Sequence, residues 1–200
     1  MLKIYDLPTA QETILKRVPL TFSEYPPRLV AAVEELFGAG VTLPQAVTKI
    51  LNSVRLEGDA ALQKWSQLLD RADLEDFRIP QEMFKPAFDG LPESLRESLT
   101  LSAERIRAFH ELQPLPNWDT KTLGGRVGQR VTPVERAGVY VPGGTAPLPS
   151  SLLMSVIPAQ VAGVPRIIVT TPPNPHPTIL AAAYICGIDE VYQLGGAQAI

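Results

Sequence analysis

The sequence has a single cysteine, few aromatic residues and no long uncharged apolar run. With Cys186 as its one cysteine, the chain cannot form an internal disulfide. No uncharged apolar stretch reaches the roughly 18 residues of a membrane-spanning helix, and the N-terminal sequence lacks the apolar region and small-residue cleavage site of a secretory signal. These features are typical of a soluble cytoplasmic chain, and we expect no membrane partner.

The sequence also lacks an excess of charge of either sign. The 18 basic and 21 acidic residues are interspersed and give a net charge of −3, so no basic face is available for a nucleic acid backbone. We therefore expect no nucleic acid partner. A composition with 45% hydrophobic and 20% charged residues is that of a globular protein rather than a disordered or collagen-like chain.

Proline, by contrast, is abundant, and its distribution helps to divide the chain. The sequence has 20 prolines among 200 residues, twice the usual share of about 5%. Residues 1–25 are short of periodicity and predict an N-terminal arm with a brief helix around Gln11–Arg17 that packs on something else. Residues 26–125 predict a mainly helical segment, and residues 126–200 predict the first part of a Rossmann-like domain.

Apolar spacing and helix-ending residues define the helical segment. Apolar residues recur every three or four positions in two stretches, Leu29–Leu36 and Val47–Val54. Each stretch has a proline near its start and a glycine after its end, and these residues are Pro27, Gly38, Pro44 and Gly58. We expect Asp59 to cap a third helix, and a long fourth helix to run from about Pro92 to Gln113.

The last third of the chain alternates short β-rich runs with helical ones. The predicted strands are Ala137–Val141, Arg166–Thr170 and Glu190–Leu194, preceded by a weakly alternating run at 126–131; the predicted helices are Ser150–Ala162 and Thr178–Cys186. Strands joined by helices of this length form right-handed crossovers in a parallel sheet. The predicted fold class is therefore α/β: a helical layer followed by the start of a Rossmann-like parallel β-α-β sheet, in an aldehyde dehydrogenase-like architecture.

The loops after these strands are the candidate site. In such a sheet the loops Tyr140–Thr145, Thr171–Asn174 and Gly195–Gln198 lie along the carboxyl edge and face a common cleft. The glycine pairs allow close backbone approach to a phosphate, although a tight turn alone explains them equally. Tyr140 and Gln198 are the candidate ligand contacts, with strand packing and helix capping as their structural alternatives.

Cysteine and histidine offer little further chemistry. Cys186 could be a nucleophile, but its place in the last turn of an alanine-rich helix favours a buried structural thiol. His110 and His176 lie far apart in the sequence, without the spacing of a zinc motif, and both are expected to be structural or solvated.

Several runs together carry a family resemblance. GQRVTPVERAGVYVPGGTAPLPSSLLMSVIPAQVAG, IIVTTPPN and ILAAAYICGIDEVYQLGGAQAI resemble the amino-terminal half of histidinol dehydrogenase. The resemblance extends backwards along the chain, with VRLEGDAALQKWSQLLD and RIRAFHELQ in the family's order. The resemblance implies a homodimeric, zinc-dependent enzyme of histidine biosynthesis with intertwined terminal segments, which would account for an arm-like start. It also implies that L-histidinol is oxidised through histidinaldehyde to L-histidine while two NAD molecules are reduced in turn.

The resemblance also identifies which residues are expected to act. Tyr140 of VYVPGG and Gln198 of GGAQAI match the family's nucleotide contacts. Family chains are more than twice as long, and their zinc ligands and proton-transfer residues match no position here, so we assign no catalytic and no metal residue. Because the chain ends at Ile200 inside the helix that GGAQAI is expected to open, we expect a truncated enzyme, inactive alone. The alternative is a non-catalytic nucleotide- or partner-binding module derived from the family, and the reading frame after Ile200 would distinguish the two.

Overall fold

The computed structural model describes residues 3–17, 25–113, 115–143 and 146–200. The chain divides into two compact units, residues 1–49 and 50–200. Parts of two predicted features lie outside the described residues: residues 1–2 and 18–24 of the N-terminal arm, and Gly144 and Thr145 of the turn after the first parallel strand.

The first helix begins earlier than the sequence predicts. Helix α1 runs over Leu7–Glu12 rather than around Gln11–Arg17. The Asp6 carboxylate accepts a hydrogen bond from the Thr9 backbone N–H at 2.8 Å, and Pro8 occupies the first turn, where its fixed φ favours a helix. This cap lies upstream of the apolar residues on which the prediction rested.

The two predicted helices that follow are confirmed. Helix α2 spans Pro27–Phe37 and ends at Gly38, whose φ of +102° suits glycine. Of its predicted apolar stripe only Val33 is buried, whereas Leu29 and Leu36 are 43% and 44% exposed. Helix α3, Leu43–Glu57, begins in the first unit and continues into the second. For α2, the apolar spacing therefore predicted the helix correctly, but it did not predict that most of its apolar side is exposed in this chain.

A π-helical turn follows the third predicted helix. Helix α4 spans Asp59–Trp65, with Gly58 rather than Asp59 in the capping position. The chain then widens into the π-turn Ser66–Asp70, and the Ser66 carbonyl accepts the N–H groups of Arg71 and Ala72. Arg71 has a left-handed φ of 55° and reverses the chain.

A 3-10 turn at Gln81–Met83 leads into helix α5, Phe84–Asp89, and helix α6 spans Glu93–Glu111. Strands β1 (Trp118–Thr120) and β2 (Val127–Gln129) pair antiparallel. Helix α6 and strand β2 lie close to the long helix and the weakly alternating run that the sequence predicts, whereas the 3-10 turn, helix α5 and strand β1 were not predicted.

The predicted parallel sheet is confirmed. Strands β3 (Arg136–Tyr140), β4 (Arg166–Thr171) and β5 (Val191–Gln193) pair in that order, and the crossovers are helices α7 (Pro149–Val161) and α8 (Pro177–Cys186). Together with the helices before it, this sheet places the chain in the predicted α/β class.

A segment from the helical part extends this sheet. The Ile79 N–H donates to the Val191 carbonyl and the Gln193 N–H to the Phe77 carbonyl, each at 2.8 Å, so residues 77–79 run antiparallel along β5. Residues on both sides of the predicted division at residue 125 therefore contribute to this sheet. The division itself stays a prediction.

The core of the second unit is centred on helix α8. Seven of its ten residues are buried, and helices α5, α6 and α7 all pack against it. The small side chains of Ala181, Ala182 and Ala183, each fully buried, let these neighbours approach closely. None of the described helices has both the length and the apolar character to cross a bilayer.

Candidate functional site

Three loops converge on Pro172 at the carboxyl edge of the parallel sheet. Pro172 follows the central strand β4 and lies between the loop after β3 and the loop after β5. A Cβ at Gly143 would come within 2.9 Å of the Pro172 side chain, and a Cβ at Gly195 would come within 3.2 Å of the same proline. The approach at Gly143 leaves no room for a Cβ, and a Cβ at Gly195 would require Pro172 to shift by a few tenths of an ångström, so the three loops pack closely at this proline.

Tyr140, the last residue of β3, connects to the loop after β5. Its side-chain oxygen accepts a hydrogen bond from the Gly196 backbone N–H at 3.2 Å. The hydroxyl therefore extends across the central strand and keeps its own proton to donate to another group. Nearby, the Thr170 hydroxyl donates to the Leu194 carbonyl at 2.6 Å and fixes the start of the same loop.

Gln198 lies in a single 3-10 turn, Ala197–Ala199, rather than in the helix that the sequence predicts. Its side chain is buried, with 4% exposed. The Nε2 group donates to Asp70 Oδ2 at 3.2 Å, and Oε1 has no hydrogen-bond partner among the described residues. A lone buried carbonyl oxygen of this kind is costly unless it acquires a partner.

The structure therefore brings Tyr140 and Gln198 to the same loop. Tyr140 contacts Gly196, and Gln198 follows two residues later, with its Oε1 close to the Gly196 backbone. Gly196 has a φ of +59°, and a Cβ there would lie 2.5 Å from Gln198 Oε1, so this position also requires glycine. Nucleotide contact by either side chain stays a prediction.

A cleft of about 370 Å³ opens after strands β3 and β4, and its described lining includes residues of the first two of the three predicted loops but none of residues 195–198. Prolines form much of its wall, and its lining includes Pro142, Gly143, Thr171, Pro172, Asn174 and His176. Tyr140 and Gln198 are not among its described lining residues. His176 caps helix α8, since its Nδ1 accepts the Thr178 backbone N–H at 3.3 Å, and this is a structural role.

Cys186 is buried, as the sequence predicts. Burial raises the pKa of its thiol to about 11, and the positive charge of Arg107 acts in the opposite direction. The Arg107 guanidinium donates to Gln160 Oε1, and Gln160 Nε2 donates to the Cys186 carbonyl, each at 2.6 Å. A thiol that keeps its proton at neutral pH is a poor nucleophile. Burial and the hydrogen bond to its carbonyl indicate that Cys186 has a structural role.

The described residues do not fit a zinc site. Among them, no group of three or more histidine, cysteine, aspartate or glutamate side chains is placed to hold a metal ion. His110 instead pairs through Nδ1 with Gln113 Oε1 at 2.7 Å. Catalytic zinc needs about three converging protein ligands, so we derive no metal chemistry from this part of the chain.

One residue of this site escaped the sequence analysis. Asp70 ends the π-turn and contacts Gln198 across 128 positions of sequence. Its place in the SQLLD run gives no periodic signal, because helical spacing continues through the turn.

The fold and its loop-bearing edge place the chain among α/β proteins built on a Rossmann-like parallel sheet. Residues 40–200 match the family model described as histidinol dehydrogenase. The chain belongs to the histidinol dehydrogenase family.

Individual relatives agree with this assignment. A histidinol dehydrogenase from Thermus thermophilus is 46% identical over 159 residues, covering 80% of this chain and 38% of the relative. One from Aromatoleum aromaticum is 40% identical over 199 residues, covering 96% of this chain and 45% of the relative. The crystal structure of histidinol dehydrogenase from Elizabethkingia anophelis superposes with a TM-score of 0.75 at 32% identity, covering 87% of this chain and 42% of that one. The chain thus spans less than half the length of these relatives.

Proposed function

We propose that the chain forms the nucleotide-binding half of an NAD- and zinc-dependent histidinol dehydrogenase. This oxidoreductase of histidine biosynthesis would oxidise L-histidinol through histidinaldehyde to L-histidine. The family membership supports the reaction class, since residues 40–200 match the family model. We further propose that the enzyme is a cytoplasmic homodimer. The exposed apolar side chains of Leu29 and Leu36 on helix α2 would be covered in such a dimer.

The single observation that carries the NAD assignment is the loop formed around Gly196. It combines a glycine-only backbone, the Tyr140 hydroxyl bonded to its N–H, and the unpartnered Oε1 of Gln198. When bound, NAD accepts a hydride at each of the two oxidation steps. In this proposal the Tyr140 hydroxyl donates a hydrogen bond to the nucleotide, and Gln198 Oε1 accepts a hydrogen bond from the nucleotide.

We propose that the zinc ligands lie outside the described residues of this chain. Because the described residues do not fit a metal site, we place the zinc ligands and the proton-transfer groups in the part of the family's length that this chain does not span. The relatives reported above are histidinol dehydrogenases, which does not favour the alternative of a non-catalytic binding module.

The proposal is tested in the protein translated from the whole reading frame that encodes this chain. Tyr140→Phe and Gln198→Ala should each weaken NAD binding about five-fold in calorimetry, which corresponds to the loss of one hydrogen bond of about 1 kcal/mol. Tyr25→Phe, at an exposed tyrosine, and Gln129→Ala, at an exposed strand residue, are the matched controls. Unchanged affinity in both site variants would contradict the assigned contacts, and a protein that forms no NADH from L-histidinol would contradict the reaction.

A further inference from the structure

The side chain of Asp70 accepts a hydrogen bond from the side chain of Gln198. The Gln198 Nε2 group donates to Asp70 Oδ2 at 3.2 Å, and the amide is almost wholly buried. An amide has a donor end and an acceptor end, and a carboxylate can receive only the donor end. The contact with Asp70 therefore fixes which end of Gln198 faces the Gly196 loop: the acceptor, Oε1.

The π-turn explains why Asp70 lies in this position. The wide turn Ser66–Asp70 is closed by two N–H groups on the Ser66 carbonyl, and Arg71 then leaves it in a left-handed conformation. In an α-helix each residue is rotated by about 100° about the helix axis relative to the one before it. The wider π-turn changes this rotation, so the Asp70 side chain leaves the helix in a different direction than it would from a regular helix. Isolated π-turns of this kind are frequent at functional sites.

The electrostatics of Asp70 do not suit a purely stabilising role. Partial burial raises the pKa of its carboxyl, and no cationic group is among the causes of that shift. A carboxylate withdrawn from water without a counter-charge costs stability, and a hydrogen bond from a neutral amide offsets only part of that cost.

The contacts continue from Asp70 to the candidate nucleotide site. Gln198 Oε1 lies so close to Gly196 that a Cβ at that position would come within 2.5 Å of it. The Gly196 N–H in turn bonds to the Tyr140 hydroxyl. Asp70, Gln198, Gly196 and Tyr140 therefore form one continuous set of contacts from the helical part of the second unit to the carboxyl edge of the sheet.

We propose that Asp70 is a positioning residue for the dinucleotide: it orients the Gln198 amide so that Oε1 and the Gly196 loop are preorganised for the ligand. This inference rests on the proposed function, because it takes NAD as the ligand of this loop. It adds a residue from the helical part of the second unit to a site otherwise built from the sheet.

The test is a double-mutant cycle on NAD affinity, with calorimetry of the protein translated from the whole reading frame. Asp70→Ala should raise the NAD dissociation constant by no more than the about five-fold expected for Gln198→Ala, because Asp70 acts on the ligand only through the Gln198 side chain. Asp70→Asn keeps an oxygen acceptor but adds a donor group, so it orients the Gln198 amide less strictly and should give an affinity between those of wild type and Asp70→Ala. Asp73→Ala, three residues further along the same loop and exposed, is the control and should leave affinity unchanged.

The cycle separates positioning from a general loss of structure. Because Asp70 acts through Gln198, Asp70→Ala combined with Gln198→Ala should lose no more affinity than Gln198→Ala alone. Full affinity in Asp70→Ala, or losses that simply add in the double variant, would overturn the inference while leaving the proposed function intact. A wild-type protein without measurable NAD affinity would instead overturn the proposed function, and this inference with it.

Discussion

Gly196 and Gly58 have nearly the same φ but different surroundings. Their φ values are +59° and +58°, a region that favours glycine. A Cβ at Gly58 would meet nothing within 4 Å, whereas a Cβ at Gly196 would lie 2.5 Å from Gln198 Oε1. The two positions therefore allow backbone strain to be separated from a steric clash at the candidate site.

We predict that Gly196→Ala weakens NAD binding more than ten-fold, because the added methyl group displaces Gln198. Gly58→Ala should lower the free energy of unfolding by about 1–3 kcal/mol through backbone strain alone and leave NAD binding unchanged. Calorimetry and chemical denaturation of both variants measure these effects. Equal NAD affinity in the two variants would contradict the importance of the Gly196 loop.

Cys186 should be unreactive in the folded chain. Because its pKa is raised to about 11, iodoacetamide labelling at pH 8 should be slow, and fast only after denaturation. The folded state holds its proton more tightly than the unfolded state does, so the stability that this group contributes is present below its ordinary pKa, near 9, and is lost as pH rises towards about 11.

The functional counterpart of this prediction uses Cys186→Ala in the protein from the whole reading frame. Turnover should be nearly unchanged, since the thiol is buried in the core and bound to no site residue. Rapid stoichiometric labelling accompanied by loss of activity would show that the thiol takes part in the reaction.

At the scale of elements, the sequence predicts most where a proline or a glycine marks a boundary. Gly38, Gly163 and Gly187 all follow helices that end where the pattern predicts, and each has a positive φ. The pattern could not predict the π-turn at Ser66–Asp70 or the 3-10 turn at Ala197–Ala199. The two turns meet through the contact between Asp70 and Gln198, which lie 128 positions apart in sequence, and local periodicity carries no information about such contacts.

The same distinction applies to the candidate site. Tyr140 and Gln198 could be selected from the sequence because each ends or follows a predicted strand, and topology brings such positions to one edge. Asp70 could not, since it reaches Gln198 only through the tertiary fold.

The contacts of Gln160 join three helices and allow a prediction at this scale. Gln160 on α7 accepts from Arg107 on α6 and donates to the last carbonyl of α8. Gln160→Leu should lower the free energy of unfolding by about 2–3 kcal/mol, because it leaves a cation and a carbonyl without partners. Gln129→Leu, at an exposed position, is the control. Denaturation curves that coincide for Gln160→Leu and wild type would show that these bonds contribute nothing.

At the scale of the whole molecule, the chain contains the VYVPGG and GGAQAI loops, and its described residues contain no group placed to hold a metal ion. Its match to the Thermus relative covers 38% of that protein. Sequence similarity could establish the family because motifs such as VYVPGG and GGAQAI are specific. It could not place a metal site, since no group of metal-binding side chains is brought together among the described residues.

We therefore predict that the 200-residue chain, expressed alone, neither retains catalytic zinc nor oxidises L-histidinol. Metal analysis after gel filtration and an NADH-formation assay with added zinc are the measurements. Stoichiometric zinc together with turnover would show that these residues contain a complete active site.

The burial of helix α8 has a consequence for how the second unit opens. Its backbone is surrounded by helices α5, α6 and α7, so local fluctuations at the surface do not expose its amide protons. Hydrogen exchange at Leu180 and Ala182 should then proceed only through global unfolding of this unit, and its rate under rapid reclosing gives the full unfolding free energy. The exchange rates of the Leu180 and Ala182 amides would thus measure the unfolding free energy of the second unit in each of its variants described above.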